Sequence, residues 1–324
     1  MGKGVFSNVV RAIDMDSDSE SSILAIKIIR NNEATLRSGH KEIKIMQTIQ
    51  NSDPEDKHHC LKMLSSFTFS HHLCICFENL EMNLREVIRR YGDGIGLSIA
   101  GVREYGKQLL RALLILKRLK ILHCDCKSYI VKPDNILAYE HLRMVKLADF
   151  GSAMFEDERH ITDNLVPRFY RAPEIILGAS YDYGIDMWSF GCTLFELYTG
   201  QILFPGRSNS EMLKLFMELF GPISKRIRNR GKFTFQYFDN NFFYYSIPDS
   251  SNTLSHFSTP LSDLNKISSL SIRLCPESNF SKSVSPSDSS SLSSLSNFLE
   301  LCLSLDSHDR ISPEEALNHS FFQS

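Results

Sequence analysis

The sequence has no excess of charge of either sign and no apolar run long enough to cross a membrane. Its 324 residues include 36 lysines and arginines against 38 aspartates and glutamates, so the formal net charge is −2. This balance excludes a bulk attraction to nucleic acid or to anionic lipid. The longest strongly apolar stretch, residues 109–116, contains Arg111 and is far shorter than the ~20 residues that span a bilayer.

Leader and zinc signals are also missing. The amino terminus has neither a secretory apolar region nor a myristoylation signal. The eight cysteines include the pairs Cys74/Cys76 and Cys124/Cys126, whose members are separated by a single residue, whereas a structural zinc knuckle uses a C-x2-C spacing. We therefore expect a soluble intracellular protein with free thiols that binds neither membranes nor nucleic acid directly. The sequence does not indicate an oligomeric state.

The first part of the chain has the pattern of short strands and one helix. Residues 5–13 and 23–29 alternate apolar and polar side chains around a turn-rich stretch, which predicts a hairpin. Residues 33–49 have helical spacing, and two further strand-like runs follow at 61–69 and 72–78. These elements predict a β-rich lobe over residues 1–80.

The remainder, residues 81–324, is mostly helical. An apolar stripe begins near Val102, and residues 186–198 are apolar almost all round, which predicts a buried helix. Ser312, with Glu315 three residues later, predicts the start of a final helix. A small β-rich lobe followed by a larger helical lobe is an α+β arrangement with a cleft between the lobes.

A serine-rich segment interrupts the larger lobe. Eleven of the nineteen residues from 278 to 296 are serine. A stretch with so little apolar content buries too little surface to offset its ordering entropy. We expect residues 250–296 to form mostly a mobile loop, with room for some ordered helix at residues 261–270.

The amino-terminal residues include a candidate phosphate-binding turn. Gly2 and Gly4 precede a strand, and glycine lets backbone amides approach phosphate oxygens closely; alone, this signal is weak. Lys27 ends an apolar strand, and Glu42 lies fifteen residues further on, within the predicted helix. A strand lysine held by a helix carboxylate orients nucleotide phosphates in kinases.

A second cluster is more specific. Asp125 follows the long helix, Asn135 follows shortly, and Asp149 comes after an apolar strand in the order D-F-G. An aspartate that accepts a hydroxyl proton, then an asparagine and an aspartate that hold Mg²⁺, are the working parts of phosphoryl transfer. The sequence R-A-P-E at 171–174, D-M-W-S-F-G at 186–191 and Arg310 complete the set.

With these motifs the chain resembles the eukaryotic protein kinases over essentially its whole length. The stretches G-V-F-S-N-V-V-R-A, M-N-L-R-E-V-I-R-R-Y-G and R-F-Y-R-A-P-E-I-I-L-G-A-S-Y-D-Y-G-I-D-M-W-S are similar to the pre-mRNA processing factor four kinases, in the CMGC group near the DYRK and CLK kinases. Ser7 in the glycine loop and Cys124 before Asp125 fit that family. The resemblance implies a two-lobed kinase fold.

The resemblance also implies a role for each matched residue. The nucleotide would be bound by Gly2, Gly4, Val9, Ala25, Lys27, Glu42, Phe77, Glu78, Leu80, Asn135 and Asp149. Among these, Phe77 would be the gatekeeper, while Glu78 and Leu80 would offer hinge backbone to adenine. Asp125 would be the catalytic base, and Asn135 and Asp149 would be the Mg²⁺ ligands.

Regulatory and structural residues follow from the same resemblance. Tyr170 would be the phosphorylated tyrosine of the activation segment, and Arg168 would bind its phosphate. Glu174 and Arg310 would form a structural ion pair in the large lobe.

The chain departs from the family at two places. The strand before the glycine loop and the basic, serine-rich amino-terminal extension are missing, and with them any readable nuclear signal. A short protein or an incomplete gene model would look like this, and we favour the latter. In the catalytic loop, five extra residues run from Ser128 to Lys132, so either Lys127 or Lys132 could be the catalytic lysine.

We therefore predict an ATP- and Mg²⁺-dependent serine/threonine protein kinase, a transferase. From the resemblance alone, its substrates would be spliceosomal proteins and its location the nucleus. The rival interpretation is a catalytically impaired pseudokinase scaffold, favoured by the insertion. A metabolite kinase is disfavoured because residues 171–174 belong to a polypeptide-binding segment.

Overall fold

An antiparallel sheet of five strands forms the amino-terminal part of the computed structural model, which describes residues 2–3, 7–15, 23–123, 132–161, 167–248, 254–275 and 286–323. The strands, which lie in the order β1-β2-β3-β5-β4, are β1 (Gly2–Lys3), β2 (Ser7–Ile13), β3 (Ile23–Ile29), β4 (Met63–Phe69) and β5 (His72–Glu78). The predicted hairpin is confirmed, since β2 pairs with β3 and places Val9 opposite Lys27. Gly2 and Lys3 of the predicted glycine-rich turn form β1 and pair with β2.

Helix α1 (Glu33–Ser52) packs on one face of this sheet. The side chain of Asn32 caps it by accepting a hydrogen bond from the first turn. Gly39 allows the helix to approach the sheet closely, because a Cβ at this position would lie 2.8 Å from Leu73 Cδ2. The buried side of α1 includes Glu42, so the helix carries a carboxylate into the interior.

The rest of the chain is mostly helical. Its helices are α2 (Leu84–Tyr91), α3 (Ile99–Arg118), α4 (Pro173–Leu177), α5 (Gly184–Thr199), α6 (Asn209–Phe220), α7 (Lys225–Arg228), α8 (Leu270–Leu274), α9 (Pro286–Cys302), α10 (Pro313–Leu317) and α11 (Ser320–Gln323). Its strands are β6 (Met82–Asn83), β7 (Ile121–Leu122), β8 (Ile136–Tyr139), β9 (Met144–Leu147), β10 (Met154–Phe155), β11 (Phe242–Pro248) and β12 (Leu254–Pro260). They form the small sheets β6-β8-β9, β10-β7 and β11-β12. Among the described helices, none is both long and apolar enough to cross a membrane.

Helix α5 forms the centre of the larger lobe. It is buried along almost its whole length, as predicted. Trp188 packs against Phe204 and Phe216, with ring centroids 5.8 and 4.9 Å away. The predicted cap of the final helical region is also confirmed, because Ser312 and Glu315 form a capping box at the start of α10.

Backbone pairing joins the two parts of the molecule. Leu61 N donates to Leu147 O, and Leu147 N donates to His59 O, both at 2.8 Å. Because β9 ends at Leu147, two residues before Asp149, these bonds fix the start of the D-F-G segment relative to the sheet. The cleft between the lobes is therefore bordered by β3, α1 and the end of β9.

Regular secondary structure occupies much of the segment 250–296, which we predicted to be mostly a loop. Its described residues include all of β12 and α8 and the first part of α9. Serine content hid a helical pattern, because Leu295, Phe298 and Leu299 recur at helical spacing and are fully buried. Phe298 packs against Phe190 of α5, with ring centroids 6.2 Å apart. One buried apolar face thus stabilises a helix whose other positions are largely serine.

Candidate active site

Lys27 on β3 is held by two carboxylates. Its Nζ lies 2.8 and 2.9 Å from the two Oε atoms of Glu42 and 3.0 Å from Oδ1 of Asp149, so the predicted Lys27–Glu42 pair is confirmed. The side chain of Glu42 is only 2% exposed, whereas those of Lys27 and Asp149 are 14% and 22% exposed. One ammonium group therefore contacts two carboxylates at a site that solvent still reaches.

The pKa values of these groups follow from burial and from their mutual charges. Burial alone would lower the pKa of Lys27, but the carboxylates of Asp149 and Glu42 outweigh it and raise that pKa. Burial raises the pKa of Glu42, and Lys27 opposes this in part. Burial would also raise the pKa of Asp149, but the Lys27 ammonium lowers it below its usual value. At neutral pH Lys27 is therefore charged and Asp149 is ionised.

The backbone around Asp149 is shaped to hold this arrangement. Asp149 has a left-handed φ of 62°, which is uncommon for a residue other than glycine. A Cβ at Gly151 would lie 3.1 Å from Lys27 Nζ and 3.2 Å from Asp149 Oδ1, so glycine leaves the room that the pair needs. Ser38 of α1 donates from Oγ to the Gly151 carbonyl at 2.7 Å. Sequence reasoning missed Ser38, because no motif spacing marks it.

A cavity of about 420 Å³ opens beside Lys27, a size typical of small-molecule sites. The predicted nucleotide-binding residues that line it are Val9, Ala25, Lys27, Glu42, Phe77, Glu78, Leu80, Asn135 and Asp149. Ala25 and Phe77 lie opposite each other on neighbouring strands. Gly2 lies in β1 opposite Val9, and Gly4 falls outside the described residues.

Asn135 is positioned by the backbone next to Asp149. It ends a short 3-10 helix and is 3% exposed. Its N–H donates to Lys132 O at 2.9 Å, and its carbonyl accepts from Ala148 N at 2.8 Å. Both predicted metal ligands therefore line one cavity, and amide and carboxylate oxygens are donors that Mg²⁺ prefers.

His123 contacts the residues on either side of Asp149. Its Nε2 donates to Ala148 O at 3.1 Å, and its N–H donates to Asp186 Oδ2 at 3.0 Å. The ring packs edge-on against Phe150, with centroids 5.1 Å apart. Burial lowers the pKa of His123 to about 4, although the Ala148 carbonyl opposes the shift. The imidazole is therefore neutral at physiological pH. His123 connects α5, through its backbone N–H, to the D-F-G segment, through its ring.

Part of the predicted catalytic loop cannot be placed. Asp125, Lys127 and residues 128–131 lie outside the described residues. Lys132, the alternative catalytic lysine, is half-buried, and its carbonyl accepts the hydrogen bond from Asn135. From the sequence we predict that residues 128–132 bulge outward as a loop and leave Asp125 and Asn135 close to their usual separation, and this stays a prediction.

Tyr170 and Arg168 do not form the predicted regulatory pair. Tyr170 is 3% exposed, and its hydroxyl donates to Glu196 Oε2 at 2.5 Å and accepts from Arg85 Nη2 at 2.8 Å. Arg168 instead donates to the carbonyl of Arg207 at 2.6 Å. A phosphate on Tyr170 would have to displace both partners and would place negative charge beside Glu196. This geometry gives the Tyr170 hydroxyl of the unmodified chain a structural role, and phosphorylation of Tyr170 stays a prediction.

The predicted pair of Glu174 and Arg310 is confirmed. The guanidinium donates to both carboxylate oxygens, at 2.6 and 3.1 Å, and also to the Gly184 carbonyl at 2.7 Å. It lies over the ring of Trp188, 5.3 Å from the centroid. The pair joins α4 to the segment before α10.

Known proteins match the chain along its whole length. The protein kinase domain family matches residues 1–322. The chain is 42% identical over 331 residues to the serine/threonine-protein kinase prpf4B of Dictyostelium discoideum, covering 100% of this chain and 39% of that protein. It is 41% identical over 328 residues to the serine/threonine-protein kinase prp4 of Schizosaccharomyces pombe, covering 99% and 65%.

A more distant relative is the putative dual specificity tyrosine-phosphorylation-regulated kinase 3 homolog of Drosophila melanogaster. It is 33% identical over 335 residues, covering 100% of this chain and 37% of that protein. The chain therefore spans less than two thirds of each of these three relatives.

Proposed function

The chain belongs to the protein kinase domain family, and on this premise we propose that it is a serine/threonine kinase that transfers the γ-phosphate of ATP to hydroxyl groups of proteins. One observation carries the proposal. The ammonium of Lys27 is fixed within 3.0 Å of both Glu42 and Asp149, inside a cavity lined by the residues expected to bind a nucleotide. A cation held in this way orients phosphate groups for transfer.

Each polar residue of the site has a proposed part in this reaction. Lys27 binds the α- and β-phosphates while Glu42 keeps its ammonium in place. The substrate hydroxyl oxygen attacks the γ-phosphorus, the bond to the ADP oxygen breaks, and Asp125 accepts the hydroxyl proton. Asn135 and Asp149 would hold Mg²⁺, which when bound neutralises negative charge on the phosphates.

The remaining assignments concern the nucleotide and the γ-phosphate. Either Lys127 or Lys132 contacts the γ-phosphate. The adenine is enclosed by the apolar part of the cavity, with Phe77 as gatekeeper. The other residues proposed to bind the nucleotide are Gly2, Gly4, Val9, Ala25, Glu78 and Leu80.

The proposed substrates are spliceosomal proteins, and the proposed location is the nucleus. Support comes from the sequence stretches shared with the pre-mRNA processing factor four kinases and from the two relatives of 41% and 42% identity, which are both serine/threonine-protein kinases. We propose that the small lobe corresponds to residues 1–80 and the large lobe to 81–324.

ATP affinity and phosphate transfer test the proposal together. We expect the wild type to bind ATP at least about tenfold more tightly with Mg²⁺ than without it, and to phosphorylate a generic basic protein. Asp149→Asn should remove most of the Mg²⁺ dependence and lower transfer about 100-fold. The proposal fails if the wild type binds ATP equally well without Mg²⁺ and transfers no phosphate.

The rival, an impaired scaffold, depends on the insertion, and none of the contacts seen in the described part of the chain favours it. Deleting residues 128–132 restores the family spacing. If the inserted loop is harmless, the deletion should change turnover by less than about tenfold. A gain of about 100-fold or more would show that the insertion misplaces the catalytic groups, because a displacement of about 1 Å costs on that order. Measuring initial rates of both proteins at equal concentration makes the comparison.

A further inference from the structure

Arg85, the second residue of α2, inserts its guanidinium among three oxygen-bearing side chains. It donates to Glu196 Oε1 through Nη1 and to the Tyr170 hydroxyl through Nη2 at 2.8 Å. Its Nε and Nη2 also donate to Asp134 Oδ2, at 3.3 and 3.2 Å. No sequence motif marks this cluster, since Arg85 is 49 residues from Asp134 and 111 from Glu196.

The two carboxylates of the cluster differ in their surroundings. Glu196 is on α5 and its side chain is 1% exposed, whereas Asp134 is 40% exposed and lines the nucleotide cavity beside Asn135. Arg85 itself is 38% exposed. One carboxylate therefore lies in the core of the large lobe and the other at the lining of the cavity. The guanidinium of Arg85 lies between them and contacts both.

We propose that Arg85 is a specificity-determining residue, which occupies an acidic pocket formed by Asp134 and Glu196 that would otherwise bind an arginine or lysine side chain of the protein substrate. The inference rests on the proposed function. It implies that the wild type does not select substrates with a basic residue near the phosphorylated hydroxyl. It also implies that such selectivity appears once Arg85 is removed.

Position and chemistry both support this assignment. Asp134 directly precedes Asn135, and adjacent Cα atoms are about 3.8 Å apart. Asp134 therefore lines the same cavity as the proposed Mg²⁺ ligand Asn135, next to the place where a substrate hydroxyl would meet the γ-phosphate. Two carboxylates facing one opening suit the fork of a guanidinium. The guanidinium of Arg85 already donates to both carboxylates, so a substrate cation could take this position only by displacing it.

Two peptides that differ in one side chain test the proposal. Both peptides of a pair carry the same acceptor serine, and at one position one has arginine where the other has uncharged citrulline. This position is varied in turn over the four residues on either side of the serine, which gives eight pairs. For the wild type we expect the ratio of kcat/KM values, arginine over citrulline, to stay within about twofold at every position. For Arg85→Met we expect at least one position with a ratio of about tenfold or more. Adding Asp134→Asn should return that ratio to about one.

Controls separate selectivity from folding. Arg85→Met leaves Glu196 buried without its cation, so the double variant Arg85→Met/Glu196→Gln serves as a second test, with a smaller arginine preference expected. A ratio of two peptides is insensitive to the fraction of folded enzyme. Arg89→Met removes an exposed arginine of the same helix and should leave the ratio at the wild-type value. Ratios within twofold in both Arg85 variants, or a wild type with a tenfold arginine preference, would overturn the proposal.

Peptide binding distinguishes failure of this inference from failure of the proposed function. If the wild type transfers no phosphate to any peptide, the kinase proposal fails while the pocket is still measurable. Fluorescence anisotropy with the same labelled peptides should then show the arginine peptide binding Arg85→Met about tenfold more tightly than the citrulline peptide. Equal Kd values for the two peptides would contradict the acidic pocket itself.

Discussion

Two buried ion pairs of this molecule, Lys27–Glu42 and Arg310–Glu174, differ in charge balance and in access to solvent. Arg310 is 0% and Glu174 5% exposed, and the guanidinium is also bonded to the carbonyls of Gly184 and Ser304. At the other site a second carboxylate, Asp149, contacts the same ammonium and faces the cavity.

Charge balance and solvent access determine what each pair can do. In the Arg310–Glu174 pair the positive and negative charges balance and every guanidinium N–H has an acceptor, so the pair has no group free to bind a ligand. Its effect is therefore on the stability of the large lobe. At Lys27 the carboxylate of Asp149 faces the open cavity, which suits a bound cation, while the ammonium suits a phosphate. Breaking a pair should therefore damage stability at one site and chemistry at the other.

Arg310→Met should produce the largest change. It leaves Glu174 buried without a cation, which costs about 3–5 kcal/mol of unfolding free energy. Chemical denaturation at neutral pH measures the loss. Arg37→Met is the matched control, because the Arg37–Glu33 pair is exposed and should contribute under about 1 kcal/mol. An Arg310→Met protein within 1 kcal/mol of the wild type would contradict a structural role for the pair.

His123, which lies between α5 and the D-F-G segment, should make the stability of the large lobe depend on pH. Its pKa is about 4 in the folded chain and 6.5 in the unfolded chain. As the pH falls below 6.5, the unfolded chain takes up a proton that the folded chain does not, so stability decreases. The decrease should reach about 3 kcal/mol near pH 4.

Carboxylates also titrate in this pH range, so the contribution of His123 is measured as the difference in unfolding free energy between the wild type and His123→Gln. Denaturation curves for the wild type and His123→Gln between pH 4 and 7 should diverge, with the variant losing less stability on acidification. Parallel curves would show that the imidazole does not carry this pH dependence.

Lys27→Met should lower phosphate transfer by about 100-fold or more, because the group that orients the phosphates is lost. Its unfolding free energy should change far less than that of Arg310→Met, since Glu42 can take up a proton once the ammonium is gone. Initial rates with saturating ATP, together with denaturation curves, give both values. A well-folded Lys27→Met protein with near-normal turnover would remove the kinase assignment.

The smallest effect is expected for Ser38→Ala. Loss of the hydrogen bond from Ser38 to Gly151 should raise the activation free energy of phosphate transfer by about 1 kcal/mol, which corresponds to a roughly fivefold slower transfer. Thr48→Ala on the same helix removes a hydrogen bond to Lys44 and should leave the rate unchanged. Equal rates for the wild type and Ser38→Ala would show that this link does not position the D-F-G segment.

Local patterns account for what sequence alone could predict. The hairpin, α1, α5 and the capping box are each marked by spacing within one element. The residues that line the cavity beside Lys27 and the Arg310–Glu174 pair were marked by motifs. The Arg85 cluster has no such signal, because its partners come from three distant segments. Sequence also does not show that the Tyr170 hydroxyl is enclosed between Arg85 and Glu196.

The loop prediction for the serine-rich segment was wrong for a different reason. Composition predicted a loop, whereas Leu295 and Leu299 at helical spacing indicate the helix that α9 forms. Burial of that face against α5 and α11 is a tertiary effect, and it outweighed the low helix propensity of serine.

The most direct test of the central claim is phosphate transfer by Lys27→Met and Arg310→Met, compared at equal concentrations of folded protein and at a temperature where both are folded. The account predicts that Arg310→Met keeps a rate within about threefold of the wild type, while Lys27→Met loses about 100-fold or more. Equal losses in the two variants, or a larger loss in Arg310→Met, would contradict it.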